Sequence, residues 1–294
     1  MKKVLITNAS GCIGINLANL LLEDDNTSIL GYDDKLSQNT SSIYTLLKNE
    51  RYNFTEYDLT KEIQEYSDEI YYLTPCINSR LYLDNKYDYI LKQFKMLNSI
   101  LNYASLCGAK IIFANNFLNY NSLNSEFFPL YSAISTMQNM IKVFSDKNHL
   151  DFKVAQISNF YGINSYPDKD NFVGDFIFKS FNNESIDIGK NESVYITFAR
   201  DIAKGLKVIM ESYSESNIYD ISNPNPCLKS DIAKLIANFT KSKSAITCED
   251  ETPEMPSYNP DVSKLNNELN FRCATSILDG VSKTIDFYKM MYFS

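Results

Sequence analysis

Two glycines and a pair of acids near the amino terminus carry the first spacing with chemical meaning. Asn8-Ala9-Ser10-Gly11-Cys12-Ile13-Gly14 is a run of small residues, and Asp33-Asp34 follow roughly twenty residues later. Glycines in such a run let backbone N–H groups approach a pyrophosphate at the positive end of a helix, and an acid at that spacing accepts hydrogen bonds from a ribose. Small residues also make ordinary turns, so the flanking elements decide between the two. Lys3 to Thr7 reads as a short β-branched strand. Ile15 to Glu23 carries Leu17, Leu20 and Leu21 at helical spacing, and Ser28 to Tyr32 reads as a second strand ending in the acids. Strand, turn, helix, strand and acid make the βαβ unit that binds a dinucleotide. Its candidate contacts are Asn8, Gly11, Cys12, Ile13, Gly14, Asp33 and Asp34. The two acids, with Lys35 as the only close base, favour NAD over NADP, whose 2′-phosphate they would repel.

The alternation continues along the chain. A short helix is expected around Ile43 to Lys48, then strands at Tyr52–Tyr57 and Glu69–Leu73. A long helix over Tyr87–Cys107 is stopped by Gly108, and a strand begins at Lys110. A helix over Tyr131–Lys147 precedes a strand at Phe152–Ser158. Further on, a helix is expected at Phe172–Phe178, a strand at Ser185–Gly189, a helix capped by Ser230-Asp231, and a last helix opened by a capping box at Ser276. Strands alternating with helices imply an α/β fold, a Rossmann-type doubly wound parallel sheet with a smaller C-terminal α/β substrate lobe. Residues 1–162 are expected to form the dinucleotide-binding domain, with 190–223 returning to it and 163–294 mainly forming the lobe.

Composition bounds the partners. The chain has 294 residues, 44% apolar and 22% charged, enough for one large domain or a domain with a lobe. A formal net charge of −8 with no basic run argues against nucleic acid or an acidic membrane surface. No apolar run approaches the roughly 20 residues that span a bilayer. Lys2-Lys3 lead straight into a strand without a signal-peptide core. The cysteines Cys12, Cys76, Cys107, Cys227, Cys248 and Cys273 lie far apart with no C-x-x-C, which suits reduced thiols and a cytoplasmic location. The one histidine, His149, sits in a polar stretch and reads as a surface residue, so no metal site is expected.

With these motifs in place, the sequence resembles the extended short-chain dehydrogenases/reductases, the NAD-dependent epimerase/dehydratase group that acts mostly on nucleotide sugars. That family writes its first turn T-G-x-x-G-x-x-G; here Thr7 is followed by Asn8, then Gly11 and Gly14. Asparagine tolerates left-handed backbone, so the turn can survive, while its side chain crowds the cofactor. The resemblance further implies that Asp58 and Leu59 contact the adenine, although a strand end with a helix cap explains them equally well. It places Leu73, Thr74 and Pro75 beside the cofactor's phosphates and ribose. It places a Ser/Thr at Asn116, four residues before Tyr120, and the general acid/base at Tyr131, with the lysine of Y-x-x-x-K falling on Ser135. Asn159 matches a substrate-contacting asparagine, while Val194 and the acidic stretch from Cys248 to Glu254 stand where arginines often grip the diphosphate. Arg200 and Arg272 are the remaining bases considered for that role. The family's two long helices pair in a homodimer.

The expected activity is therefore NAD-dependent epimerisation, reduction or dehydration of a nucleotide sugar, in carbohydrate or surface-polysaccharide biosynthesis, with Tyr131 as acid/base. The alternative is a catalytically impaired pseudoenzyme that binds a dinucleotide or pairs with an active homologue. A lysine charge about 4 Å from a phenolate is worth about 4 kcal/mol at an effective dielectric of about 20. That equals about 3 pKa units, so without it Tyr131 is expected near the unperturbed value of about 10.

Overall fold

Runs rich in Ile, Val, Tyr and Phe, separated by amphipathic segments, fold into alternating strands and helices. The computed structural model describes residues 1–33, 40–73, 79–116, 126–167, 171–214, 217–256 and 258–293. The first part holds β1 (Lys2–Thr7), α1 (Cys12–Leu21), β2 (Thr27–Asp33), α2 (Thr40–Leu46), β3 (Tyr52–Glu56) and β4 (Glu69–Leu73). It continues with α3 (Ser79–Asp84), α4 (Lys86–Cys107), β5 (Lys110–Asn116), α5 (Phe128–Asn148), β6 (Phe152–Ile157) and β7 (Asn159–Tyr161). Then come α6 (Phe172–Phe181), β8 (Ile186–Asp187), β9 (Lys190–Val194), β10 (Ile196–Phe198), α7 (Ala199–Glu211) and β11 (Ile218–Ile221). The chain ends with β12 (Cys227–Leu228), α8 (Lys229–Thr240), β13 (Ile246–Thr247), β14 (Asp250–Glu254), α9 (Ser263–Leu269) and α10 (Ile277–Tyr292).

Seven strands form one sheet in the order β11-β6-β5-β4-β1-β2-β3. Every pairing in it is parallel. Parallel sheets need both faces covered, and this one alternates accordingly. Val4, Ile6, Ile112 and Ala114 pack with α1 and α7 in one core, while Leu5, Ile70, Ile111 and Phe113 pack with α4 and α5 in a second. The order reverses between β1 and β4, and a doubly wound sheet takes its ligand at the carboxyl ends of the strands there.

A third core draws on Tyr161, Val173, Phe176, Ile177, Ile232, Ile236, Val281 and Ile285, and joins α6, α8 and α10 to the short strands β8 to β10. The chain re-enters the main sheet in between. β11 pairs with β6, with Ile218 opposite Val154, and Leu265 with Leu269 and Phe271 packs onto the first core.

Several helix boundaries differ from the sequence expectation for local reasons. The α8 helix begins at Lys229, and its N-cap is Leu228 with no side-chain cap. Ser230 therefore lies inside the first turn, where its N–H donates to Asn191 Oδ1 on β9 at 3.3 Å; a neighbouring strand supplies the cap that the sequence assigned to Ser230-Asp231. The expected strand at Ser185–Gly189 shrinks to the two residues of β8, and the helix from Phe172 runs on to Phe181. The last helix opens as expected, with Ser276 Oγ accepting from the Asp279 N–H at 3.1 Å. Gly108 ends α4 in the left-handed region at φ 62°. His149, also left-handed, closes α5 and is exposed. Among the described residues no helix is long and apolar enough to cross a membrane, and the described cysteines Cys12, Cys107, Cys227, Cys248 and Cys273 are free thiols.

Candidate functional site

The carboxyl end of β1 turns directly into α1. Asn8 adopts φ 49°, the left-handed geometry that the first position of the turn requires, and the Gly11 N–H donates to Asn8 O at 3.1 Å. Gly14 lies so close beneath the turn that an added Cβ would sit 2.4 Å from Asn8 O and 2.8 Å from Ala9 Cα. No side chain larger than hydrogen fits there, so helix and turn are locked together. Gly11 is the N-cap of α1, and no side chain caps that helix end. An uncapped helix start beside a glycine is the arrangement that receives phosphate oxygens.

The turn is tied to the end of β2. Ser10 donates to Asp33 Oδ2 twice, from its backbone N–H at 3.1 Å and from Oγ at 2.6 Å, both buried. From the sequence Asp33 is expected only as a ribose acceptor, and Ser10 carries no assigned role. A buried small polar residue inside a glycine turn, one strand away from an acid, was the available signal. Asn16, one turn into α1, donates to Cys12 O at 2.8 Å and to Ile163 O at 2.9 Å, and so fastens the chain after β7 against the same helix.

Around this turn the other expected contacts fall unevenly. Leu73 ends β4, and its carbonyl accepts from Thr7 Oγ1 at 2.9 Å. Asp34, Thr74 and Pro75 lie outside the described residues, as does Tyr120. Asp58 is exposed and accepts from the Thr60 N–H and Oγ1 at 3.1 and 2.7 Å; the Thr60 hydroxyl first, then its N–H, holds the carboxyl below its ordinary range. Leu59 is buried in the second core. Both Asp58 and Leu59 thus have structural roles of their own.

Tyr131 stands in the first turns of α5, half-buried against the second core beside Phe127. Among the described residues its hydroxyl has no hydrogen-bond partner. Its pKa is raised above 10, chiefly by burial and then by Tyr82. This corrects the expectation of an unperturbed phenol, because removing water from the ring disfavours the phenolate while no cation among the described residues compensates. Ser135 lies one turn further on, half-buried. Lys142 is exposed and about 16 Å along the helix axis from Tyr131 at 1.5 Å per residue, beyond the reach of its side chain.

Asn116 is the last residue of β5, half-buried, opposite Ile157 on β6. Its neighbour Asn115 is 1% exposed, and neither its Oδ1 nor its Nδ2 has a hydrogen-bond partner. Buried amides are almost always paired, so an unpaired one at a strand's carboxyl end marks a place for a ligand or water. By strand alternation Asn115, not Asn116, falls on the face that α5 covers. Asn115 carries no role in the sequence expectation; an asparagine where the strand calls for an apolar residue is the signal that marks it.

On the other side, Asn159 is exposed at the start of β7, opposite Ile196 on β10. Arg200 points elsewhere. Its guanidinium pairs with Glu23 at 3.2 Å, past the end of α1 that is far from the glycine turn, and both groups are exposed. Arg272 donates from Nε to Asn266 Oδ1 at 2.5 Å. Val194 is buried in the third core. The acidic stretch forms β14 against β9, where Lys190 pairs with Glu254 at 3.3 Å, and Lys229 pairs with Glu192. Both lysines near these acids are thus already neutralised by glutamates.

A parallel sheet in this order, with a glycine turn after β1 and an acid ending β2, defines a Rossmann-type nucleotide-binding protein. The family model described as the NAD dependent epimerase/dehydratase family matches residues 4–223, and the chain belongs to that family. Among curated proteins it is 18% identical over 297 residues to UDP-glucuronic acid decarboxylase 6 of Arabidopsis thaliana, covering 95% of this chain and 86% of that one. UDP-glucuronic acid decarboxylase 1 of Danio rerio is 20% identical over 305 residues, with 98% and 72% covered. Among solved structures, an epimerase from Methanothermobacter thermautotrophicus superposes with a TM-score of 0.87 at 17% identity, covering 99% of this chain and 93% of that one. UDP-glucuronic acid 4-epimerase from Bacillus cereus, solved with UDP-glucuronic acid and NAD, gives 0.84 at 19% identity, covering 99% and 100%. At these identities the structural likeness establishes the fold.

Proposed function

We propose that this protein binds NAD at the β1–α1 turn and acts on a nucleotide sugar in carbohydrate or surface-polysaccharide biosynthesis. The observation that carries the reading is the turn itself: left-handed Asn8, the contact distance at Gly14, and Asp33 clamped to Ser10 at the end of β2. Asn8, Gly11, Cys12, Ile13 and Gly14 would seat the pyrophosphate and Asp33 the adenosine ribose, with Asp58, Leu59 and Leu73 bordering the adenine and phosphates. NAD-bound relatives and nucleotide-sugar epimerases of the same fold support it. Residues 1–162 with 190–223 would hold the dinucleotide, and most of 163–294 the sugar nucleotide. A bound nicotinamide supplies the hydride acceptor. Tyr131 would hold or deliver the proton of the reacting sugar hydroxyl, Asn116 would donate an amide hydrogen bond to that oxygen, and Asn159 would contact the substrate. We also propose a homodimer through α4 and α5, whose outer faces expose Leu106, Met140 and Val143.

A second reading has its own observation. Ser135 stands in the lysine's place and the Tyr131 phenol is shifted upward, so the chain could keep the fold and the dinucleotide while lacking fast chemistry, as a scaffold for an active homologue. Calorimetric titration with NAD⁺ and NADP⁺, together with native mass spectrometry of the purified protein, tests the first reading. NAD⁺ is expected to bind more tightly; tighter binding of NADP⁺ would overturn the assignment of Asp33.

A further inference from the structure

The three small positions of the turn have separate physical duties. The first needs left-handed backbone, the second must leave open space for the pyrophosphate, and the third must let helix and turn touch. Asn8 meets the first requirement and Gly14 the third. At the second, the structure departs from what a glycine ordinarily secures. A Cβ built on Gly11 would meet Asn8 Nδ2 at 2.9 Å, Oδ1 at 3.0 Å and Cγ at 3.1 Å, and these three atoms are its nearest neighbours. The room that glycine leaves vacant is therefore filled by the carboxamide of the residue three positions earlier.

We propose that the Asn8 side chain is a movable plug over the pyrophosphate seat, so that a dinucleotide must displace it before its phosphates reach the start of α1. This rests on the dinucleotide reading above and deepens it. Two features make the plug movable. It is the far end of a rotatable side chain, and among the described residues no hydrogen bond holds its amide. Displacement thus requires a change of rotamer and breaks no bond to a described residue. The resting position opposes binding sterically, since the carboxamide atoms lie within 2.9 to 3.1 Å of where a Cβ on Gly11 would stand. The consequence is a weak pyrophosphate grip in a protein whose turn geometry is otherwise intact.

The test is Asn8→Gly in the full-length protein, compared with wild type by isothermal titration with NAD⁺, ADP-ribose and adenosine. Glycine adopts φ 49° without strain, so the variant keeps the turn, and a thermal melt no lower than wild type verifies it. NAD⁺ and ADP-ribose are expected to bind about tenfold more tightly to the variant, the equivalent of relieving one unfavourable rotamer, while adenosine, which lacks the pyrophosphate, is unchanged. Equal NAD⁺ affinities would overturn the plug and leave the dinucleotide reading standing. Weaker binding by the variant would also overturn it, making Asn8 a donor to the phosphates. Failure of both proteins to bind any of the three compounds at millimolar concentration would overturn the plug and the dinucleotide reading together.

Discussion

At the scale of single residues, acid–base chemistry in this protein turns on Tyr131 and the position one turn after it. Burial raises the phenol, and no lysine of α5 reaches it, so at neutral pH Tyr131 stays protonated and can serve as an acid far better than as a base. Below its pKa the phenolate fraction rises tenfold per pH unit. Any oxidation of a sugar hydroxyl by the wild type should therefore accelerate steadily from pH 7 to 9 without a plateau. Ser135→Lys places an ammonium one helical turn from the phenol. It should lower the Tyr131 pKa by up to about 3 units and raise the neutral-pH rate by about 10²- to 10³-fold. Tyr131→Phe should abolish activity. Single-turnover cofactor reduction followed at 340 nm across pH decides this; a wild-type rate already fast and flat at pH 7 would refute the assignment.

At the scale of elements, β11 shows how the closing segment of the chain is fastened to the sheet. Asp220, 7% exposed, accepts through Oδ2 from Tyr258 Oη at 2.6 Å and from the Asp261 N–H at 2.7 Å. Burial raises its pKa, and the two donors only partly oppose that. A carboxyl raised on folding stabilises the fold fully below its unfolded pKa and loses that contribution as pH climbs through the folded value. At neutral pH the buried carboxylate is therefore a net cost. Asp220→Asn keeps one oxygen able to accept from both donors and removes the charge. The variant should melt higher than wild type at pH 7 to 8, with the gain vanishing near pH 4. An equal or lower melting temperature at pH 8 would contradict the burial argument.

At the scale of the whole molecule, the first two cores grip the parallel sheet from both faces and the third stands apart, built from α6, α8 and α10. The outer surface of α4 and α5 leaves Leu106 at 75% and Val143 at 69% exposure, which a second copy of the chain would cover. Replacing both with glutamate buries two charges in any such interface. Analytical ultracentrifugation should find a dimer for wild type and a monomer for Leu106→Glu/Val143→Glu, with NAD⁺ affinity unchanged. A variant that remains dimeric would place the interface elsewhere.

What the sequence determined by itself was whatever local periodicity and turn chemistry dictate. The β1–α1–β2 unit, the parallel α/β class, the stop at Gly108 and the Ser276 cap all follow from residues adjacent in the chain, because hydrogen bonding and side-chain spacing within an element are local. Asn8 in left-handed geometry was legible for the same reason. Only the tertiary structure decided the rest, since it depends on what distant segments bring together. Asn191 on β9 took over the cap of α8 from Ser230-Asp231. Ser10 captured an oxygen of Asp33 at the end of β2, and Arg200 was drawn to Glu23 just past α1. Burial, which no single segment reveals, raised Tyr131 and left the Asn115 amide unpaired. The turn's pattern specified a seat for phosphate; the packing of one side chain, Asn8 over Gly11, decided how open that seat stands.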